Sequence, residues 1–203
     1  MTDATWNEND YDLSFDDISY TGNVINAPIN WKIGQIRNYF HGLVIKDAKN
    51  AMLCGSMLSG LTLGISSLDY LAGFYCGRKT TENDFVHYLD KYFPDKYKDF
   101  NQSIYRQLRC GLLHNLVSKE PWRNNQFEFK ITKEPINHLD PNENGRIIFS
   151  PIIFLEDLRR SARKYVFDLI MKPEENNELL HNFEKRFDIN NGTTAIMFYT
   201  NDQ

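Results

Sequence analysis

The stretch Ala51–Cys76, AMLCGSMLSGLTLGISSLDYLAGFYC, decides what kind of fold this chain has. It is long enough to cross a bilayer. However, it is rich in Gly, Ser and Thr, it carries Asp69 in its interior, and no second comparable stretch exists. The expectation is therefore a central helix buried within a bundle, whose small residues let neighbouring helices come close. No membrane association is expected.

The residues on either side fit that picture. Before the stretch, Trp31, Ile33, Ile36, Phe40, Leu43 and Val44 recur at helical spacing after Pro28, a residue suited to a helix start. After it, Gly77 is a natural C-cap, and TTENDFVHYLDKYF (80–93) restarts a helix behind a Thr/Thr cap. Pro94 ends that helix, and DFNQSIYRQLRCGLLHNL (99–116) forms the next, expected to run to about Val117. The pattern then changes. NQFEFKIT (125–132) and GRIIFSPI (145–152) read as two strands around the polar loop KEPINHLDPNENG, which has the turn residues of a hairpin. FLEDLRRSARKYVFDLIM (154–171) is a helix with Phe154, Leu158, Tyr165 and Leu169 facing inward. A charged helix follows from about Pro173 to Phe187, and TTAIMFYT (193–200) is a final strand candidate.

The expected organisation is thus mainly α. Residues 1–27 form an acidic flexible arm. Residues 28–203 form one helical domain, with a small β-hairpin around 126–150 and a C-terminal helix/strand extension. The 203 residues suffice for one core, and the formal net charge of −4 argues against a broad nucleic-acid-binding surface. Cys54, Cys76 and Cys110 include no CxxC pair, so neither a disulfide framework nor a zinc site is expected. The acidic start MTDATWNENDYDLSFDD has no basic and apolar leader pattern, so a cytoplasmic protein is expected. His41, His87, His138 and His181 show no metal-ligand spacing, and no glycine-rich phosphate loop is present. No cofactor is expected.

One polar cluster stands out, within YRQLRCGLLHN (105–115). At about 100° per residue, Ile104, Leu108, Leu112 and Leu116 share one face, with Tyr105 at its edge. Arg106, Cys110 and Leu113 point away, flanked by Arg109 and His114. Arg109 and His114 are five apart, so their directions differ by roughly 140°. One straight helix does not bring them to one atom, but two copies across a two-fold axis can. Leu113, apolar amid polar groups, fits a face covered by a second subunit. The chemistry is coherent. Arg offers a fork of donors matching a phosphate, and His takes or gives a proton near neutral pH. Such a pair can cleave RNA through its own 2′-OH without a metal ion.

The segment LRCGLLHN, late in an amphipathic helix that follows a long apolar one, resembles the HEPN superfamily. Its ribonucleases carry an Arg, four to six residues, then a His; here that is Arg109, CGLL, His114. The likeness runs over about residues 28–172 as helix order, with the motif as its sharp part. It implies a helical bundle, dimerisation across the motif helices, and metal-independent ribonuclease activity in toxin–antitoxin or antiviral systems. Arg109 and His114 would be catalytic. RNA would be the substrate, and an antitoxin or defence protein a partner. Active members often carry a polar residue directly after the Arg, where this chain has Cys110. A module that binds RNA, a nucleotide or a protein without cutting is therefore the alternative.

Arg106, Asp69, Cys110 and Asn115 form the auxiliary set. Arg106 is a second phosphate contact or a surface charge. Asp69 orients Arg109 or His114, or else lies at a wet helix end. Cys110 is a nucleophile or a small interface residue. The basic run RRSARK (159–164) is a solvated helix face by default.

Overall fold

In the computed structural model, the described residues are 26–115, 127–171 and 177–193, without the side chains of 41–43, 113–115 and 189–193. The expected acidic arm as far as residue 25, the helix end beyond Asn115 and residues 194–200 of the expected strand lie outside them; Ala27, at the end of the arm, is buried, and Thr193, the first residue of the expected strand, ends a helix instead. The fold is mainly helical, with one small sheet.

The first helix is continuous from Ile29 to Leu53: α1 (Ile29–Asn38), a π-helical turn (Tyr39–Val44) and α2 (Ile45–Leu53). The stretch from Ala51 is not one helix. Its first three residues end α2, Cys54–Ser56 make a turn with Gly55 at φ 87°, and α3 is Met57–Cys76. α3 is the hub expected of it. It packs against α2, against α4 (Glu82–Tyr92), α7 (Pro151–Met171) and α8 (Asn177–Thr193), and against both π turns. Leu61, Ile65, Leu68, Leu71, Ala72 and Phe74 are fully buried on it. Its small residues do what the sequence reading asked of them. A Cβ on Gly60 would stand 2.6 Å from the Ala48 carbonyl oxygen of α2, so only glycine permits that approach. Ser66 and Ser67 donate to the carbonyls of Thr62 and Leu63 four residues back, which satisfies their hydroxyls inside an apolar helix. Among the described residues, no helix is long and apolar enough to cross a membrane.

Gly77 caps α3 in the left-handed conformation, as its position predicts. Thr81, the second threonine of the expected cap, accepts from the Asp84 amide, and Asp84 accepts from the Thr81 amide in return. After Pro94, a 3-10 turn (Asp95–Phe100) leads into α5 (Asn101–Ser103), a second π turn (Ile104–Arg109) and α6 (Cys110–Asn115). Together these make one helix from Asn101, with Ile104, Leu108 and Leu112 buried as expected. In α7, Phe154, Leu158, Tyr165 and Leu169 all face the core. The charged segment after it buries one stripe at i, i+4, i+8: Leu179, Phe183 and Phe187 of α8.

The hairpin expectation needs correction. β1 (Phe129–Ile131) and β2 (Ile147–Phe149) are both present, but they pair in parallel, Phe129 opposite Ile147. The turn chemistry was real and serves a different partner. Gly145 takes φ 72°, and Asn142 Oδ1 accepts from the amides of Asn144 and Arg146. This turn folds residues 139–141 back along β2. Leu139 donates to the Ile148 carbonyl (2.7 Å) and Ile148 to the Asp140 carbonyl (2.9 Å). Ile147 instead donates to Glu128, beside β1 (2.8 Å), so successive residues of β2 serve opposite neighbours. The loop between β1 and β2 is long enough for the crossover that parallel strands require.

Candidate functional site

The motif helix delivers its arginines to two carboxylates. Asp69, on α3, accepts from Arg109 Nε (3.1 Å) and Nη2 (3.2 Å), a two-pronged ion pair. The Arg109 guanidinium also lies 5.4 Å from the centre of the Tyr105 ring. The pair is mostly enclosed, with Arg109 15% and Asp69 23% exposed at their side chains. Burial works against the arginine's charge. The Asp69 carboxylate more than compensates, and the pKa of Arg109 is held above the ordinary guanidinium value. Asp69 does not lie at a wet helix end: it sits within α3, paired with Arg109.

Arg106 reaches the other way, to Glu82 at the start of α4. Its Nε lies 2.8 Å and its Nη2 2.7 Å from Glu82 Oε1. This pair is wetter, about one third exposed on each side. Cys110 is half-buried and forms no disulfide. His114 and Asn115 end α6, and their side chains, with that of Leu113, lie outside the described residues. The structure therefore brings Asp69 to Arg109 and sets Arg106 apart on Glu82.

The helix is not the uniform α-helix assumed above. Its π turn, with i to i+5 bonding, runs from Ile104 and ends at Arg109. Arg109 is the last residue of this turn, and His114 lies in the α6 that follows it. The angular placement of Arg106 relative to them is shifted by the wider turn. Such turns occur frequently at functional sites, and nothing in the spacing of apolar residues announces this one.

In the basic run of α7, Arg159 and Arg160 bind Glu156 within the same helix, and Lys164 donates to the Lys91 carbonyl. The run is a helix face held by its own neighbours. Among the described residues, no group of three or more His, Cys, Asp or Glu side chains is arranged to hold a metal ion.

A second polar cluster escaped the sequence reading. His138 is buried in the loop between β1 and β2. Its Nδ1 accepts from the Ser150 amide (2.9 Å), which leaves the ring proton on Nε2, 2.8 Å from Tyr97 Oη. Tyr97 in turn donates to Asp157 Oδ2 (2.9 Å), and Lys96 stands 3.6 Å from the same oxygen. Burial, and then Lys96, push the pKa of His138 down to about 3, so it is neutral. Residues 137 and 139 on either side both have positive φ, 52° and 69°. In sequence His138 looked isolated because its direct partners Tyr97 and Ser150 lie 41 and 12 residues away, and Asp157 is joined to it only through Tyr97.

The fold and site together define a helical bundle with an oriented, half-buried arginine on its motif helix. In comparisons with known proteins, no family model, no curated protein and no solved structure matches the chain.

Proposed function

We propose that this chain is a metal-independent endoribonuclease of the HEPN type, acting as a homodimer through Arg109 and His114. The observation that carries the reading is the fixed guanidinium of Arg109. It is gripped in two places by Asp69, backed by the Tyr105 ring, and placed where the π turn gives way to α6. Catalytic arginines depend on such orienting partners, because stabilisation of a transition state requires donors fixed before the reaction. The ribose 2′-OH attacks the adjacent phosphorus and the 5′-oxygen leaves, giving a 2′,3′-cyclic phosphate. One imidazole takes the 2′-OH proton or protonates the leaving oxygen, and water completes the other transfer. Arg109 stabilises the extra negative charge on the phosphoryl oxygens. A role as a toxin or in antiviral defence, with a cognate partner protein, follows from the same family likeness.

His114→Ala and Arg109→Ala should each lower RNA cleavage by about 10²- to 10⁴-fold. Mixing the two variants is the sharper test. A site built from Arg109 of one copy and His114 of its partner regains activity in the mixed dimer. Wild-type activity that requires magnesium, or that cuts DNA equally well, would falsify the mechanism.

One observation favours the alternative of a binding module without catalysis. Nε and Nη2 of Arg109 and the Arg106 fork are already engaged by carboxylates. On that reading the purified chain retains RNA and yields no products, and retention survives His114→Ala.

A further inference from the structure

α3 receives a second arginine one turn beyond Asp69. Positions 69 and 73 are i and i+4, so they share one face of the helix. Residue 73 is glycine, and a Cβ there would stand 3.2 Å from Arg186 Nε, 3.2 Å from Thr80 Oγ1 and 3.3 Å from the Arg78 carbonyl oxygen. Thr80 Oγ1 itself donates to the Asp69 carbonyl (2.7 Å), joining the two positions. Arg109, from the motif helix, and Arg186, from α8, thus arrive on one ridge of α3.

Their partners differ. Each neighbouring arginine has a carboxylate: Arg109 has Asp69, Arg106 has Glu82, and Arg78 has Asp84. Arg186 has none among the described residues, and its Nε is buried without an acceptor. A buried, unsatisfied donor on a charged group is costly, and an ion or ligand that supplies the acceptor is a recognised explanation. The residue is only partly enclosed; exposed Lys79, in the turn after α3, and exposed Lys185, its neighbour on α8, add positive charge, which exposed Glu184 offsets in part.

We propose that Arg186, with Gly73 making room for it, forms a subsite for a phosphate of single-stranded RNA, next to the phosphate held at Arg109. This rests on the ribonuclease reading of Arg109. The two contact positions on α3 are four residues apart, about 6 Å of rise along the helix, a spacing suited to neighbouring phosphates of one strand. The partly exposed side chain turns its fork to the phosphate oxygens, which carries Nε from its buried position to an acceptor, and the charge of Arg186 is neutralised from outside the chain.

The test uses the full chain with ¹⁵N-labelled arginine side chains and a short 2′-O-methyl RNA, which cannot be cut. The Arg186 Nε–H resonance, assigned by its loss in Arg186→Lys, should move on titration. Arg186→Lys should weaken binding about tenfold while keeping the salt dependence, because it loses the fork and keeps the charge. Arg186→Ala should also lower the slope of log affinity against log salt by about 0.7. Gly73→Ala, which crowds Nε, should reproduce the loss. An Arg109 signal that responds while Arg186 does not overturns the subsite and leaves the RNA reading standing. A response only to inorganic phosphate overturns it in favour of a free-anion site. Movement of Arg186 with RNA, in a protein that does not cleave unmodified RNA, supports the subsite and defeats the catalytic reading instead.

Discussion

Two polar clusters in this bundle use similar chemistry in opposite settings. Around Arg109, the guanidinium is paired with Asp69 and lies within reach of solvent. Around His138, the imidazole, Tyr97 and Asp157 are buried, and the titratable ring is held neutral. The first arrangement preserves charge where a ligand can meet it. The second saturates every nitrogen of the ring with protein partners, Ser150 on one side and Tyr97 on the other. Histidine is the more familiar catalytic residue, yet here the sealed His138 has the marks of a pin. It fastens the small sheet and the start of α7 to the 3-10 turn after α4.

The largest expected effect tests that division through stability. His138→Ala leaves the Ser150 amide and the Tyr97 hydroxyl buried with one partner fewer, and opens a cavity. Each stranded group costs about 1–3 kcal/mol, so a loss of roughly 3–5 kcal/mol is expected in urea unfolding. Asp69→Asn keeps the shape and leaves Arg109 near water, and should cost only about 1–2 kcal/mol. If Asp69→Asn proves the more damaging, the Arg109 pair is the structural element and the comparison inverts.

A smaller effect follows from pH. The unfolded chain binds a proton at His138 near pH 6.5, whereas the folded chain resists it down to about 3. The unfolded state therefore holds more protons throughout that window. The stabilisation is fully present above about pH 6.5 and is lost as pH falls. Between pH 6.5 and 5 the loss should be about 1–2 kcal/mol. Asp157 works the other way at lower pH. Burial raises its pKa, although Lys96 and Tyr97 oppose this, so protonating it favours the folded state just above the usual carboxylate range. The difference in pH slope between wild type and His138→Gln isolates the ring. Equal slopes would mean that His138 titrates normally in the folded protein.

The contrast also explains what could be read from the sequence. Helices with regular apolar spacing were legible: Phe154, Leu158, Tyr165 and Leu169 face the core as the period demands. The Thr81 cap and the Gly77 stop were legible because they are local chemistry. Asp69 was visible as a lone carboxylate in an apolar helix, and burial theory says that such a group seeks a cation. That it meets Arg109, 40 residues on, is tertiary information. The strands at 129–131 and 147–149 were placed, but their direction was not, because parallel and antiparallel pairs share the same alternation and the turn signals at Asn142 and Gly145 fit a hairpin. His138 and Arg186 carried no local signal at all. The partners of His138 come from distant parts of the chain, and the space beside Arg186 exists only because residue 73 is glycine.

The smallest effect concerns the outer arginine. Arg106 and Glu82 are paired at 2.7–2.8 Å, but water reaches both, and side-chain entropy and screening offset most of the attraction. Glu82 is also the first residue of α4, where a negative charge is favoured by the unpaired amides of the helix start. Glu82→Gln removes both contributions and keeps the shape. The expected cost is about 0.3–1 kcal/mol, and it should shrink in high salt, since the Debye length falls to about 3 Å at 1 M. The same substitution releases the Arg106 fork. If Arg106 is a second phosphate contact, RNA retention should rise in Glu82→Gln while stability falls slightly. Unchanged retention would make Arg106 a surface charge, and the ligand-facing side of the comparison would then rest on Arg109 and Arg186 alone.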